Sequence, residues 1–325
     1  SGAEPGSALP PLPSDLVRVE VDQRLGFIDL ILGPVNLPAG TSGFRTPIQL
    51  LKVPASGWLR SFDWSMQDAA GKPLPASLLH HVNLIDPSRR ELFAPIALRV
   101  IAAGRETARQ ELPWGLGYPL SAPAKFLIIS MFANPTGQPY DSAYLRLRLR
   151  YTEGRIMPRL NVFPFYLDAM GLVGEKSFEV PPGHSSRSWV ARPATDVRAV
   201  MLGGHVHDFA RALRLEDASS GDVLWHAPLQ TNSKGQLVEL PTQVLWQNGG
   251  IKLRRDREYR VTVEYFNPTP NPLPHGGMGV VAGIAIGSPE NWPAVDPANP
   301  EYRTDLNNVL AAPARSSRPD HTHNH

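Results

Sequence analysis

The stretch Tyr144–Thr152 reads YLRLRLRYT. Leu145, Leu147 and Leu149 alternate with Arg146, Arg148 and Arg150, so an extended chain puts every leucine on one face and every arginine on the other. A helix would scatter both sets around its surface. Only a strand with one dry face and one wet face makes use of this pattern. Outward from it, runs of the same character recur: VRVEVDQ from Val17, GFIDLIL from Gly26, FLIISMF from Phe126, VRAVMLGG from Val197, YRVTVEYF from Tyr259 and GVVAGIAIG from Gly279. The 34 prolines and 27 glycines punctuate them, as turns between short strands require. Helical patterning is confined to DLNNVLAA near the end, with Asp305 placed to cap it; residues 77–81 only mimic it. The chain is expected to be all-β.

The bulk numbers narrow the function classes. A length of 325 residues suits two domains, and 42% apolar residues let each bury a core. A net charge of +2 with scattered arginines gives no basic stripe, and so no nucleic-acid partner. There are no cysteines. That removes disulfides, cysteine zinc sites, iron–sulfur clusters and thiol catalysis, leaving His, Met, Asp and Glu to hold any metal. No run approaches the ~18–20 apolar residues that span a bilayer. The start, SGAEPGSALPPLPSD, reads as the flexible lead of a processed mature chain or as a cloning scar, with no signal peptide visible. There is no G-x-S-x-G elbow, P-loop, dinucleotide fingerprint or H-E-x-x-H.

The chain echoes itself. MFANPTGQP (Met131–Pro139) and YFNPTPNP (Tyr265–Pro272) each close an apolar strand with an aromatic residue and then Asn-Pro-Thr. Upstream of each lies a short strand with paired histidines, His80-His81 in the first half and His205-Val206-His207 in the second. Two echoes in the same order imply one sandwich plan used twice. The expected division is a lead over 1–14, one β-sandwich over 15–165, a second over 166–288, and a Pro/Asn-rich tail over 289–325 that ends in His321, His323 and His325.

The histidines carry the chemistry. Residues two apart on a strand share a face, so the imidazoles of His205 and His207 converge without special backbone. Imidazole nitrogen bonds copper or zinc at ~2.0–2.1 Å, which such a pair can span. The pattern is short, and two half-exposed strand histidines without metal would read the same way. Asp208 follows at once and is placed to orient a ligand ring. His275, in PHGGMG (Pro274–Gly279), offers a third imidazole, which would complete a three-histidine main site. Met278, a soft thioether that favours Cu(I), is the alternative ligand there. His80 and His81 are adjacent and would point to opposite faces of a regular strand, so joint ligation needs a bulge or a strand end. His184 reads as a turn residue and His226 as a strand residue. The alternating tail histidines would take up metal only loosely.

Taken in order, these motifs resemble the copper type II, ascorbate-dependent monooxygenases, the peptidylglycine α-hydroxylating and dopamine β-monooxygenase family, over roughly Val17 to Gly287. LLHHVNLID is similar to that family's first copper strand; SMFANP followed by Asp141-Ser142 is similar to its strand ending in Asn-Pro. Pro181-Pro182 matches the crossing between domains, HVHDFAR with Arg211 the second copper strand, and Gly276-Gly277-Met278-Gly279 the glycines before the last strand. The resemblance implies two tandem jelly-roll-like antiparallel β-sandwiches, each with one copper. It also implies O2- and ascorbate-dependent hydroxylation of a C–H bond in a small-molecule or peptide substrate, and a secreted or periplasmic location. Residue by residue it implies His205 and His207 at the main copper, where His275 or Met278 would replace a missing methionine, and His80 and His81 at a second, with Met131 in the third position. The departures are Met131 where the family has its third first-site histidine, no methionine near Gly283 and Ile284, and no disulfides. The alternative function is a non-enzymatic copper-binding or copper-handling secreted protein; a structural module with no metal is the third.

Overall fold

The computed structural model describes residues 16–105, 107, 109–154, 160–171 and 177–310. The lead over 1–14 and the tail histidines His321, His323 and His325 lie outside the described residues. Its architecture is all-β, of jelly-roll-like antiparallel sandwich type, with a single α-helix among the described residues. The chain divides into two units, one taking in Ser1–Pro87, Arg99–Asn161 and Tyr302–His325, the other Ser88–Leu98 and Val162–Glu301. The sequence placed the join at 165/166 and kept 88–98 in the first domain. The reason for the difference is an apolar plug: Leu92 and Phe93 are fully buried, and the Phe93 ring packs against Phe165 at 5.9 Å and Tyr259 at 6.3 Å within the second unit.

In the first unit one sheet runs in the order Val17–Asp22, Phe27–Leu37, Tyr140–Thr152, Gly57–Gln67, Leu116–Leu120. The register sets Leu145, Leu147 and Leu149 opposite Leu32, Leu30 and Ile28, all of them buried. The same register lines Arg146, Arg148 and Arg150 against Ile31, Asp29 and Phe27 on the other face. The dry and wet faces expected of YLRLRLRYT are both present. A second sheet joins Phe44–Arg45, Ala124–Phe132, Leu79–Arg90 and Ala97–Gly104, with Gln49–Val53 on the same edge of Ala124–Phe132 as Phe44–Arg45. Its buried Val82, Leu84 and Ile128 supply apolar surface to the unit's core.

Asp29 stands inside the arginine row and accepts hydrogen bonds from Arg148 Nε (2.8 Å), Arg148 Nη2 (2.8 Å) and Arg146 Nη2 (2.6 Å). Burial alone would push its carboxyl up, but the two guanidiniums hold it down at about 2. An unfolded aspartate titrates near ~3.9. The unfolded chain therefore binds the proton first as the pH falls, so this stabilisation is complete above about pH 4 and is lost on the way down to the folded value. It is worth about 2 kcal/mol. Asp29→Asn is expected to lower stability at neutral pH by about that amount and to flatten the acid limb below about pH 4 in urea titrations. Identical acid limbs for the two proteins would refute the assignment.

The second unit pairs Val162–Asp168 of the strand that begins at Leu160 with Gly279–Ile286, then Val197–Val206, then the short Gln243–Val244 and Ile251–Leu253. Its other sheet runs Gly183–Ala191, Tyr259–Asn267, Ala210–Asp217, Val223–His226. His184 and His226 both lie on that sheet, His184 opposite Phe266 and His226 opposite Arg214. His184 is thus a strand residue and not the turn residue expected from Pro181-Pro182-Gly183; its ring lies 4.7 Å from that of Phe266.

The Asn-Pro-Thr echo is a repeated hydrogen-bonded clamp. Asn134 and Asn267 are both buried. Asn134 Nδ2 donates to Leu37 O (2.9 Å) and Gln138 O (2.8 Å), while its Oδ1 accepts from the backbone N–H (3.1 Å) and hydroxyl (2.7 Å) of Thr136. Asn267 Nδ2 donates to Val180 O (3.2 Å) and Asn271 O (2.8 Å), while its Oδ1 accepts from the N–H (2.9 Å) and hydroxyl (2.8 Å) of Thr269. Each clamp fixes the strand that carries it to the end of a strand that stops at a proline, Pro38 or Pro181.

The segment expected as a tail is partly built. Trp292 is buried and stacks on Phe163 at 4.2 Å. The helix covers Pro300–Leu310, so the described part of DLNNVLAA, Asp305–Leu310, is only its second half. Its cap is Asn299, whose Oδ1 accepts from the Glu301 N–H at 2.9 Å, with Pro300 in the first turn, where a missing N–H costs nothing. Asp305, expected as the cap, pairs instead with Arg99 at 2.6 Å.

Candidate metal centres

In the second unit, Val197–Val206 lies antiparallel to Gly279–Ile286, and the last ladder pairs are His205↔Val280 and Val206↔Gly279. His205 is exposed and His207 half-buried, flanking a buried Val206, as residues two apart on a strand should be. Their rings lie 5.3 Å apart, centroid to centroid, at 90°. An ion ~2 Å from a nitrogen of each ring fits such a separation without backbone movement. One residue beyond the last pair on each strand stand His207 and Met278. The Tyr265 hydroxyl holds both: it accepts from the N–H of His207 (3.0 Å) and of Met278 (3.0 Å), and donates to Met278 O (2.5 Å).

The turn after His207 is strained. Phe209 sits at φ 68° and His275 at φ 54°, the two non-glycine residues with positive φ among the described residues. Phe209 follows His207 by two residues and His275 precedes Met278 by three, and strain of this kind concentrates at functional sites. His275 belongs to Leu273–Gly277, which pairs with Phe178–Val180 as a separate ribbon, and its Nδ1 lies 3.1 Å from Ser177 Oγ. Asp208 accepts from the Leu237 N–H at 2.9 Å, so its carboxylate secures a loop. The glycines near His275 answer to packing. A Cβ on Gly277 would fall 2.3 Å from the Phe178 ring, and one on Gly279 2.4 Å from Val263.

In the first unit, the register runs Met131↔His81 and then Phe132↔Leu79. His80 is the extra residue of a β-bulge, the device that adjacent histidines need if they are to act together. Their rings lie 5.0 Å apart. Met131, directly opposite His81, also pairs with Arg45 on its other side. Burial foremost, then the charges of His80 and Arg45, pushes His81 down to about 4. Its ring is therefore neutral at neutral pH, the form that binds a metal. The Arg45 guanidinium is engaged by the end of the helix, donating to Asn308 O (3.0 Å) and Val309 O (2.6 Å).

Of the sequence-predicted residues, the fold thus brings together His205 with His207, and His80 with His81 and Met131. Among the described residues, no group of three or more His, Asp or Glu side chains is arranged to hold a metal ion, so His275 does not join His205 and His207 in such a group. Any third donor at either pair must come from elsewhere. Sequence reading passed over Tyr265, which reads as an ordinary aromatic of an apolar strand; its task depends on where the ladder stops.

No family model matches the chain, and no curated protein does. Among solved structures it is similar to the major capsid protein P2 from bacteriophage PM2, at 10% identity over 81% of this chain and 99% of that one, with a TM-score of 0.37. It is also similar to PNGF-II, at 12% identity over 81% of this chain and 66% of that one, with a TM-score of 0.39. A fucolectin from striped bass serum follows at 8% identity, 80% and 85% coverage and a TM-score of 0.18. Likenesses this distant carry no function across.

Proposed function

We propose that this chain is a copper-binding protein in which each unit offers one ion two imidazoles and a methionine thioether. In the second unit these are His205, His207 and Met278. In the first they are His80, His81 and Met131. The observation that carries the reading is recurrence: a histidine pair about 5 Å apart with a methionine at the adjoining position of the neighbouring strand, once in each unit. The donor chemistry fits copper, since imidazole suits it and a thioether selects the reduced ion. The neutral ring of His81 fits it too.

The monooxygenase resemblance adds an activity to this reading: hydroxylation of a C–H bond in a small molecule or peptide, with O2 and ascorbate, in a secreted or periplasmic setting. Bound copper supplies one-electron redox chemistry there. The chain's own part is to present neutral imidazoles from packed strands and to leave a coordination position open. A second reading, a copper-handling protein without turnover, is favoured by one observation: neither pair gathers a third nitrogen or carboxylate ligand among the described residues.

Copper loading under reducing conditions followed by desalting tests the proposal. Two bound ions per chain are expected, and a chain that emerges without copper overturns it. Oxygen uptake that requires both ascorbate and a C–H substrate separates the enzyme from the carrier.

A further inference from the structure

At the ends of the strands that carry the second-unit donors, the sheet's own hydrogen bonds have run out. The last ladder pair is Val206↔Gly279, and His207 and Met278 stand just past it. Beyond it the two strands share no further ladder pair, and one side chain reaches both ends. Tyr265, on Tyr259–Asn267 of the other sheet, is 1% exposed. A phenol offers one proton and two lone pairs. This one uses all three: both lone pairs on the N–H groups of His207 and Met278, and its proton on Met278 O. The ring is held edge-on by Phe178 at 5.7 Å and 88°, so the hydroxyl has a fixed address.

We propose that Tyr265 is a positioning residue for the second-unit copper, setting the distance between the histidine-bearing and methionine-bearing strand ends. The inference rests on the copper reading above. The first unit needs no such bolt, because Met131 lies within the ladder, paired directly with His81. The position matching Tyr265, counted from the two clamp asparagines, is Phe132, which has no hydroxyl.

The test compares Tyr265→Phe with Tyr259→Phe, both in a full-length chain carrying His81→Ala so that one copper is read. Tyr259 is a control on the same strand, equally buried, whose hydroxyl accepts from the Arg254 N–H at 2.8 Å. Each variant loses one buried hydroxyl of the same kind, so a general loss of stability affects both. Tyr265→Phe is expected to weaken Cu(I) binding by ~10–100-fold in chelator competition, the range for residues that orient ligands. It is also expected to lose the copper–sulfur contribution to the X-ray absorption spectrum. Tyr259→Phe should leave both unchanged. If Tyr265→Phe retains affinity and sulfur signal, or Tyr259→Phe loses them equally, the positioning role is overturned while the copper reading stands. If the His81→Ala parent takes up no copper, both fall together.

Discussion

Asn267→Ala is expected to destabilise the chain by about 3–4 kcal/mol, measured by urea unfolding at neutral pH. The amide makes two bonds to carbonyls and receives two from Thr269. Truncation leaves Val180 O and Asn271 O without this donor, and each lost bond in a buried setting costs about 1 kcal/mol or more. Alanine cannot fill the space, which adds a cavity term. Asn267→Asp sharpens the test because it keeps the shape. It removes the donor, turns a carboxylate toward the same two carbonyls, and is expected to cost at least as much as alanine. Thr269→Val, which deletes one hydroxyl and leaves the amide clamp in place, should cost only about 1 kcal/mol. Asn134→Ala is expected to match Asn267→Ala, since Asn134 makes the corresponding bonds. A cost below about 1 kcal/mol for both alanine variants would mean that water replaces the clamp.

The clamps also mark what the sequence could and could not say. Asn-Pro-Thr is legible because part of its bonding is local, reaching two and four residues along the chain, while its bonds to Leu37 O and Val180 O are not written in the motif. The Tyr144–Thr152 strand is legible for a similar reason: a period-two pattern needs no knowledge of its neighbours. The bulge at His80 is not, because it exists only in the register against Met131 and Phe132 on another strand. Leu92 and Phe93 are not legible in this way, because an apolar pair suits either core; Phe165 and Tyr259, packed on the Phe93 ring, decide which one takes it. Asn299-Pro300 is a helix start by its residue types, but the apolar pattern that marks the helix begins only at Asp305 and does not point upstream to it. Tyr265 lies at the far end of this scale. Nothing local distinguishes a phenol that fills a core from one that closes a ladder.

On the proposed reading of two coppers per chain, His207→Ala and His81→Ala are each expected to remove one, with at least ~100-fold weaker residual binding at the altered site. Two donors from three remain in either case, and a single imidazole with a thioether cannot enclose an ion that the pair would have gripped. The two losses should add, because the donors belong to different units. The double variant should bind none. His321, His323 and His325 would obscure that result by loose uptake, so all measurements belong in a chain with these three replaced by serine. The methionines give an independent reading of the same sites. Met278→Leu and Met131→Leu keep volume and remove only the sulfur, so each is expected to weaken Cu(I) more than Cu(II) at its own site, as a soft donor requires. Equal weakening of both oxidation states would place the sulfur outside the coordination sphere. His205 and His207 would then stand as a bare pair.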